Sequence, residues 1–450
     1  MSITHFADPN LPTLMKATLK QWANKQLRYS PYFYRKLKDV QQERTLSAAE
    51  TEHIRNERFV TLIRKAYRHS SFYQNLYDQA GVNLQQVQVV EDITRLPPIT
   101  KQDVKKHIDQ IFIGQKFNRI RSFTSGTSGP PLRVYRDYRS MVYEWAYQWR
   151  QRITFGHHPG RKTIVLRGNL HRNQQEYYDP FTNTLYLSSY HFNEQQAAWY
   201  YDKIAQFAPQ AIYAYPSSME SLVNLFGGLG KSVFVPLVFT SSETLYHHQR
   251  TKIEARFETR VVDWYGNSER TIALEQSPDG WYDEIPLYSI NEYLEDHILT
   301  TGLTNASFPL IRYRVDDVIH LDKHNRIKPS GYRRVKEIQG RNDDILLLPD
   351  GSRIGMICGI FDSVPKLQRA QVVQDQPHTF QVNIVVEPEF GKEEELFLRE
   401  KITEFLGYTP YSLSYVSEDQ IIRAKSGKYK LIVNRLLSKV PSPGDTVATQ

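Results

Sequence analysis

Apolar residues recur at helical spacing through the first hundred positions of the chain. The best-defined stripe, spaced by three and four residues, consists of Ile54, Phe59, Leu62, Ile63, Ala66 and Tyr67. Gly81 follows as a stop signal, and the two prolines at 97 and 98 predict a turn into a further short helix, since proline cannot continue the preceding one. We therefore expect a helical N-terminal region that serves as scaffold.

Apolar runs of strand length begin after Phe123 and alternate with amphipathic stretches. The runs are Thr163–Leu166, Thr184–Leu187, Ala211–Ala214, Val233–Phe239 and Arg260–Trp264. This alternation predicts a sheet with many parallel strands, covered on both faces by helices. The aromatic positions 143, 145, 147 and 149 fit either a strand or i, i+4 pairs on a helix, and we expect them to pack in the core.

The pattern changes again towards the C-terminus. Residues 292–338 alternate short strands with turns, and a Gly-Arg-Asn-Asp-Asp segment at 340–344 precedes a region with its own strands (Leu346–Leu348, Phe380–Val386) and helix (Glu393–Phe405). The predicted fold is α/β. A large multi-layered domain with a helical N-terminal extension spans residues 1–339, and a small α+β domain spans 340–450.

Composition narrows the class of protein. The 450 residues are 40% hydrophobic and 24% charged, which is typical of a folded protein of enzyme size. Cys358 is the single cysteine, so no intramolecular disulfide and no multi-cysteine metal site is possible. We find no secretory signal, and the apolar runs are far shorter than the roughly 18 residues of a membrane span. We expect a cytoplasmic protein without a membrane span.

The charge is mildly basic and unevenly distributed. The net charge is +8, whereas residues 340–450 carry 13 basic and 15 acidic side chains, so the excess lies in the larger domain. No dense Lys/Arg block is present, and an anionic substrate explains the excess as well as RNA does. We expect no nucleic-acid partner. The histidine pairs at 157–158 and 247–248 lack metal-ligand spacing and predict no metal site.

One loop carries candidate chemistry. Phe123-Thr-Ser-Gly-Thr-Ser-Gly-Pro-Pro131 precedes Leu132–Tyr135, which has strand character. Glycines let backbone N–H groups converge and hydroxyls add donors, so the loop suits nucleotide phosphates, and it equally suits a Ser/Gly surface turn. The six candidate phosphate-binding residues are Thr124, Ser125, Gly126, Thr127, Ser128 and Gly129.

The loop resembles the phosphate-binding loop of the adenylate-forming superfamily, and further segments of that family follow in the same order. They are Phe239-Thr-Ser-Ser-Glu-Thr-Leu245, Asp263-Trp-Tyr-Gly-Asn-Ser-Glu269, Ile311-Arg-Tyr-Arg-Val-Asp-Asp317, Gly340-Arg-Asn-Asp-Asp344 and Ser426-Gly-Lys-Tyr-Lys430. The N-terminal segments Ser30–Tyr34, Ser71–Tyr73 and Leu96–Lys101 are similar to the phenylacetate-coenzyme A ligase branch, which includes relatives from capsular polysaccharide clusters. The resemblance covers nearly the whole chain.

The resemblance implies a role for each matching residue. Lys428 would be catalytic on the α-phosphate and the carboxylate, and Glu269 would hold Mg²⁺. Asp317 and Arg341 would contact the ribose, and Asp343 would be the hinge of the small domain. The adenine would lie between Tyr265 and the segment that contains Ser242 and Glu243, and the remaining nucleotide-binding positions are Gly266, Asn267 and Ser268. Taken one at a time, these residues also have ordinary structural interpretations. Glu269 fits a surface glutamate, and Asp317 with Arg341 fits a solvated Arg/Asp cluster in a turn. Tyr265 fits a core tyrosine, and Lys428 fits a solvated lysine.

The implied reaction is the ATP- and Mg²⁺-dependent activation of a small carboxylic acid to an acyl-adenylate, with coenzyme A as the acyl acceptor. An amide ligase that transfers an amino acid or other acid to an amine in polysaccharide biosynthesis is the alternative. A non-catalytic nucleotide-binding scaffold is a third, because Leu132 and Asp316 stand where the family has lysine and glycine. The residues 213–217 are candidates for the acyl pocket. The identity of the acid, the acceptor and the formation of a homodimer stay open at this stage.

Overall fold

The computed structural model describes residues 22, 25–123, 132–167, 170, 174–189, 191–243, 245, 247–294, 297–321, 333–340, 346–348, 353–354, 358–361, 364–406, 409–417, 420–422 and 431–436. The helices of this part are α1 (Pro31–Gln42), α2 (Ala48–His69), α3 (Ser71–Gln79), α4 (Lys101–Ile111), α5 (Tyr138–Thr154), α6 (Ala197–Phe207), α7 (Pro216–Gly228), α8 (His247–Phe257), α9 (Cys358–Phe361) and α10 (Lys392–Leu406).

The strands of the same part are β1 (Ile120–Phe123), β2 (Arg133–Arg136), β3 (Thr163–Arg167), β4 (Glu176–Asp179), β5 (Thr184–Ser188), β6 (Ala211–Ala214), β7 (Leu237–Ser241), β8 (Arg260–Gly266), β9 (Ala273–Gln276), β10 (Tyr282–Glu284), β11 (Ser289–Tyr293), β12 (Ile298–Gly302), β13 (Tyr313–Val315), β14 (Val318–Leu321), β15 (Arg334–Gly340), β16 (Leu346–Leu347), β17 (Arg353–Ile354), β18 (Leu367–Gln376), β19 (Thr379–Val386), β20 (Tyr411–Tyr415) and β21 (Ile432–Asn434).

The predicted N-terminal helices are present and begin at polar caps. Ser47 and Glu50 form a reciprocal capping box at the start of α2, and Thr100 and Asp103 form another at the start of α4. The apolar stripe of α2 packs with α3, α4, β2 and β13 in one core. Gly81 adopts φ +65°, the left-handed conformation that glycine tolerates best, just beyond α3.

A ten-stranded sheet dominates the described part of the large domain, in the order β14-β15-β10-β9-β8-β7-β6-β3-β5-β4. The five central strands, β5, β3, β6, β7 and β8, are parallel. The flanking pairs β4–β5, β8–β9, β9–β10, β10–β15 and β14–β15 are antiparallel, so the sheet is less uniformly parallel than the sequence predicted. The β9–β10 and β4–β5 connections are too short for the crossover that parallel pairing requires.

The predicted strand at Val233–Phe239 is displaced. The strand β7 begins at Leu237, directly after Pro236, and ends at Ser241. Proline has no N–H to donate to the ladder, so it is confined to a strand's first position or its edges. The aromatic stretch at 143–149 forms part of the helix α5, which resolves the alternative that the sequence left open.

Helices cover both faces of the parallel strands. α6, α7 and α8 pack on one face, in a core that includes Ile164, Ile212, Phe226 and Val238. The helices α1 and α5 pack on the other face, where Trp149 and Trp264 belong to one cluster. No helix within the described ranges is long and apolar enough to cross a membrane.

The C-terminal part forms a separate four-stranded sheet in the order β20-β19-β18-β21, packed with α9 and α10 around its own core. The strands at 346 and 379 and the helix at 392 lie where the sequence predicted them. The α/β fold with a helical N-terminal region and a C-terminal sheet domain is therefore confirmed. The boundary at residue 340 and the hinge at Asp343 stay predictions.

Candidate active site

The carboxyl ends of β7 and β8 bring two predicted segments together. The parallel register pairs Ser241 with Trp264, so the residues Ser242 and Glu243 that follow β7 lie on the same sheet edge as Gly266, at the end of β8. Ser242 has φ +73°, which marks a sharp change of chain direction. In open α/β sheets, ligands bind in the crevice outside this edge.

A buried aspartate ties the two strands together below that edge. The Thr240 hydroxyl donates to Asp263 Oδ1 at 2.6 Å, and the Tyr282 hydroxyl donates to Asp263 Oδ2 at 2.7 Å. Burial raises the pKa of Asp263, against the lowering effect of these two hydrogen bonds. The first residue of the Asp-Trp-Tyr-Gly-Asn-Ser-Glu motif thus stabilises the strands that carry the site.

Glu269 lies in a tight turn after β8. The Thr271 N–H donates to Asn267 Oδ1 at 2.9 Å, and Asn267 Nδ2 donates to Thr271 Oγ1 at 2.8 Å. Arg270 has a left-handed φ of +57°. A Cβ on Gly302 of β12 would lie 2.9 Å from the Arg270 carbonyl oxygen, so the strand passes the turn only because residue 302 is glycine.

Two tyrosine–carboxylate hydrogen bonds connect the segment at 265–269 with the segment at 311–317. The Tyr265 hydroxyl donates to Asp317 Oδ2 at 2.8 Å, and the Tyr313 hydroxyl donates to Glu269 Oε1 at 2.9 Å. Both carboxylates are half-buried, whereas Tyr313 is only 2% exposed. A tyrosine hydroxyl therefore holds each of the two carboxylates at this edge, Glu269, which we expect to bind Mg²⁺, and Asp317, which we expect to bind the ribose.

The two arginines of the Arg-Tyr-Arg segment have local carboxylate partners. Arg312 makes two hydrogen bonds to Glu292, at 2.9 and 2.8 Å, and its guanidinium also reaches carbonyl groups at 94 and 96. Arg314 Nε donates to Asp316 Oδ1 at 3.0 Å. Asp316, which replaces the usual glycine, thus pairs with the neighbouring arginine.

Sequence reasoning missed two arginines beside Glu269. Arg136, at the end of β2, donates to the Ser268 carbonyl, and its Nε is buried without a hydrogen-bond partner among the described residues. Arg270 lies 4.0 Å from the buried carboxylate of Glu144, while its Nη1 is buried and has no hydrogen-bond partner in the described part of the chain. Burial and the charge of Arg270 lower the pKa of Arg136 to about 10. The sequence signal that could have identified Arg136 is its position, because it is a basic residue at the end of the strand that follows the candidate phosphate-binding loop.

Leu132 stands at the position where the phosphate-binding loop of the resembling family has a lysine, and its surroundings are apolar. Leu132 is fully buried against the N-terminal helices, and its neighbour Arg133 is exposed. A lysine at 132 would carry its charge into that core, which is costly for an unpaired ion. The remaining predicted residues, namely Thr124–Gly129, Arg341, Asp343 and Lys428, lie outside the described residues.

His157 is a packing residue. Its ring is buried, stacks on Trp149 at 5.6 Å between centroids, and hydrogen-bonds through Nδ1 to Gln210 at 3.0 Å. Desolvation lowers the pKa of His157 to about 4. The described ranges contain no group of three or more His, Cys, Asp or Glu side chains placed to hold a metal ion.

The comparison with protein families adds an independent result for the C-terminal sheet. Residues 346–435 match the family model of the CapK C-terminal domain. Protein CapK of Staphylococcus aureus is 25% identical over 338 residues, which cover 71% of this chain and 73% of CapK. The phenylacetate-coenzyme A ligase of Escherichia coli (strain K12) is 26% identical over 344 residues, 68% of this chain and 74% of the ligase. The chain is a relative of CapK and of the phenylacetate-coenzyme A ligases.

Two solved structures of one ligase share the fold of this chain. A 2-hydroxyisobutyryl-CoA ligase in complex with 2-HIB-AMP and CoA, in the thioesterification state, has a TM-score of 0.59 at 17% identity and covers 88% of this chain and 92% of its own. An open conformation of the same ligase has a TM-score of 0.53 at 17% identity, covering 86% and 92%. The fold is that of the adenylate-forming ligases.

Proposed function

We propose that this protein activates a carboxylic acid with ATP and transfers the acyl group to coenzyme A. In the first step a carboxylate oxygen attacks the α-phosphorus, the bond to the bridging oxygen breaks, and pyrophosphate leaves. In the second step the thiol sulfur attacks the acyl carbon, the thiol proton is lost, and AMP leaves. The observation that carries the proposal is the pair of tyrosine–carboxylate hydrogen bonds, which hold Glu269 and Asp317 at one strand edge.

The carboxylates would have separate tasks at this edge. Asp317 would accept hydrogen bonds from the ribose hydroxyls, with its orientation set by the Tyr265 hydroxyl. Glu269 fits a Mg²⁺ site that a single carboxylate and the substrate phosphates complete, which is the usual mode for this ion. Bound Mg²⁺ would offset the negative charge of the phosphates. The residues 124–129 would add backbone N–H donors on the same phosphates.

The arginines at 136 and 270 would compensate for the missing loop lysine. Within the described ranges each carries a buried N–H without a hydrogen-bond partner, Arg270 in the turn that contains Glu269 and Arg136 in contact with that turn through the Ser268 carbonyl. Catalysis of phosphoryl transfer depends on cations and oriented donors around charge that develops in the transition state. A guanidinium supplies both and remains protonated even with its pKa lowered to about 10.

Lys428 would act on the reacting groups from the small domain, after a rotation about Asp343. The ligase of known structure occurs in an open conformation and in a thioesterification state, which supports two arrangements of the small domain for this relative as well. One arrangement would place Lys428 in the site for adenylation, and the other would admit the acceptor.

The alternative function is an amide ligase, in which an amino group in polysaccharide biosynthesis takes the place of the thiol and the product is an amide. The match of residues 346–435 to the CapK C-terminal domain keeps this alternative beside the first, since the sequence resemblance includes relatives from capsular polysaccharide clusters.

The test is a screen for acid-dependent pyrophosphate release with the full-length protein. A panel of carboxylic acids is incubated with Mg-ATP, and each active acid is then tested with coenzyme A and with amines. The proposal predicts release that needs the acid and a thioester that needs coenzyme A. Glu269→Gln should abolish release, whereas Glu52→Gln, an exposed glutamate on α2, should not. Pyrophosphate release that does not depend on the acid would refute the proposal. Formation of an amide without a thioester would favour the alternative acceptor.

A further inference from the structure

A chain of buried hydroxyl groups connects the turn that contains Glu269 with the strand β13. Thr271 lies in this turn, where the side-chain amide of Asn267 donates to Thr271 Oγ1 at 2.8 Å. Thr271 Oγ1 lies 2.7 Å from Oγ1 of Thr300 on β12, and Thr300 Oγ1 lies 3.2 Å from the carbonyl oxygen of Tyr313 on β13. Thr271 is 1% exposed and Thr300 is 0% exposed, so bulk water does not compete for these contacts.

The chemistry of the groups gives this chain one direction. A carbonyl oxygen only accepts hydrogen bonds, and a hydroxyl has a single proton to donate. The Thr300 proton therefore goes to the Tyr313 carbonyl, and Thr300 in turn accepts the Thr271 proton. The Asn267 N–H then donates to the Thr271 oxygen. This is the one assignment that fills all three contacts, and hydrogen bonds aligned in this way strengthen one another.

The chain and the Glu269 hydrogen bond together close a loop through Tyr313. The Tyr313 hydroxyl donates to Glu269 Oε1 at 2.9 Å, while the Tyr313 carbonyl accepts from Thr300, its direct partner in the β12–β13 register. The turn at 267–271 is thus tied to both ends of the same tyrosine. Loss of the Thr300 hydroxyl would release one of these ties, so the turn could shift relative to β13 and weaken the bond between Tyr313 and Glu269.

The backbone of the turn needs such a tie. Arg270 has a left-handed φ of +57°, which is unfavourable for a residue with a side chain and persists only where surrounding contacts hold it. The strand β12 passes the turn closely, since a Cβ on Gly302 would lie 2.9 Å from the Arg270 carbonyl oxygen and 3.3 Å from the Thr271 Cα. The hydrogen bond between Thr271 and Thr300 joins the residue after Arg270 to this strand. It therefore helps to hold the strained turn that contains Glu269.

We propose that Thr300 is a positioning residue for the carboxylate that binds Mg²⁺. Its hydroxyl holds the turn at 267–271 against β13, so that Glu269 keeps the orientation set by the Tyr313 hydroxyl. Thr300 acts through the turn and through Tyr313, and not by contact with the ion or the nucleotide. This inference rests on the proposed function, in which Glu269 binds Mg²⁺ together with the phosphates of ATP.

The test measures ATP binding to the full-length protein by calorimetry, once with Mg²⁺ and once with EDTA. Thr300→Val removes the hydroxyl and keeps the shape of the side chain. It should raise the Kd for Mg-ATP by about 3- to 10-fold, the effect of one neutral hydrogen bond. The Kd for ATP without Mg²⁺ should not change, because Glu269 acts on ATP through the ion. Thr300→Ser retains the hydroxyl and should keep most of the affinity for Mg-ATP.

Thr184→Val is the matched control for a buried threonine hydroxyl. Thr184 is 7% exposed and begins β5, at the edge of the sheet opposite the candidate active site. Its hydroxyl lies 3.0 Å from the Thr182 hydroxyl and donates to the Thr182 carbonyl at 3.2 Å, a pattern like that of Thr300. Both variants should have a lower Tm, whereas only Thr300→Val should bind Mg-ATP more weakly.

A double mutant with Tyr313→Phe separates positioning from a general loss of stability. If Thr300 acts through the bond between Tyr313 and Glu269, Thr300→Val should cost little further affinity for Mg-ATP once the tyrosine hydroxyl is absent. Fully additive losses, or a lower Tm with unchanged affinity for Mg-ATP, would overturn the inference and leave the ligase function standing. If the wild-type protein activates no acid, the ligase function fails, and the Mg²⁺ dependence of ATP binding still decides the role of Thr300. A wild-type protein that binds no ATP would overturn both.

Discussion

The hydrogen bond from Tyr313 to Glu269 gives the sharpest test of how the site is built. Tyr313→Phe removes only the hydroxyl, so the ring keeps its place in a core where it is 2% exposed. Glu269 loses the donor that orients its carboxylate. We expect weaker binding of Mg-ATP with little change in the fold.

The magnitude follows from the nature of this contact. A hydrogen bond to a charged group contributes about 1.5–3 kcal/mol in a buried setting. Glu269 is half-buried and retains access to water, so we expect a loss of binding free energy around and below the lower end of that range, about 1–2 kcal/mol. This corresponds to a rise of about 5- to 30-fold in the Kd for Mg-ATP.

The assay combines titration of Mg-ATP by calorimetry with the KM for ATP in pyrophosphate release. A double-mutant cycle with Glu269→Gln measures the coupling between the two side chains, which should be about 1 kcal/mol or more. Tyr147→Phe is the matched control, because Tyr147 is also buried and donates to a carboxylate, Glu43, at 2.7 Å outside the site.

The Tm and the affinity for Mg-ATP of the two variants distinguish a bond that orients Glu269 from a merely structural one. Both variants should lose stability by about 1 kcal/mol, the value of an ordinary buried hydrogen bond. If Tyr313→Phe behaves like Tyr147→Phe, with a lower Tm and an unchanged affinity for Mg-ATP, the tyrosine–carboxylate bond is structural. The placement of Mg²⁺ on Glu269 would then lose its main support.

Further predictions concern the other parts of the proposed mechanism. Lys428→Ala should lower adenylation by orders of magnitude and leave ATP binding nearly intact in calorimetry, since the lysine acts on charge that develops during attack; an equal loss of affinity would contradict this role. Asp343→Pro should slow acyl transfer much more than acyl-adenylate formation in single-turnover experiments, whereas equal loss would indicate a merely structural link. Arg136→Met should raise the KM for ATP more than Arg133→Ala, because the side chain at 133 is exposed and the one at 136 contacts the Ser268 turn; the reverse order would indicate that Arg133 has replaced the lysine. His157 has a folded-state pKa of about 4, below its ordinary 6.5, so the unfolded chain binds more protons between these values and stability falls as the pH drops through this window. His157→Gln should flatten the loss, by up to about 3 kcal/mol in urea titrations at pH 7 and pH 4, and an unchanged profile would contradict the assignment.

Periodicity along the chain was enough to predict the fold class and most elements. The α2 stripe, the strands at 163, 184, 211 and 260, and the helix at 392 lie where the pattern of apolar residues placed them. This works because helix and strand periods are local properties of the side chains. The order of the short motifs was also sufficient to predict the fold of the adenylate-forming ligases, which the solved structures share.

The sequence did not reveal which residues meet across the sheet. Arg136 contacts the Ser268 carbonyl over a separation of 132 residues, and Tyr313 meets Glu269 over 44. Contacts of this kind depend on strand order and register, which no local pattern specifies. The same holds for the antiparallel flanks of the sheet and for the start of β7 after Pro236.

Burial without a partner is likewise a property of the folded chain alone. In the sequence Arg152 is one of many basic residues, and Tyr213 was a candidate for the acyl pocket through a resemblance only. The tertiary structure stacks the Arg152 guanidinium on the Tyr213 ring at 4.2 Å and buries Arg152 Nη1 and the Tyr213 hydroxyl without a hydrogen-bond partner among the described residues. The cost of leaving such donors unpaired arises only when folding removes their solvent, so it is a property of the structure and not of the sequence.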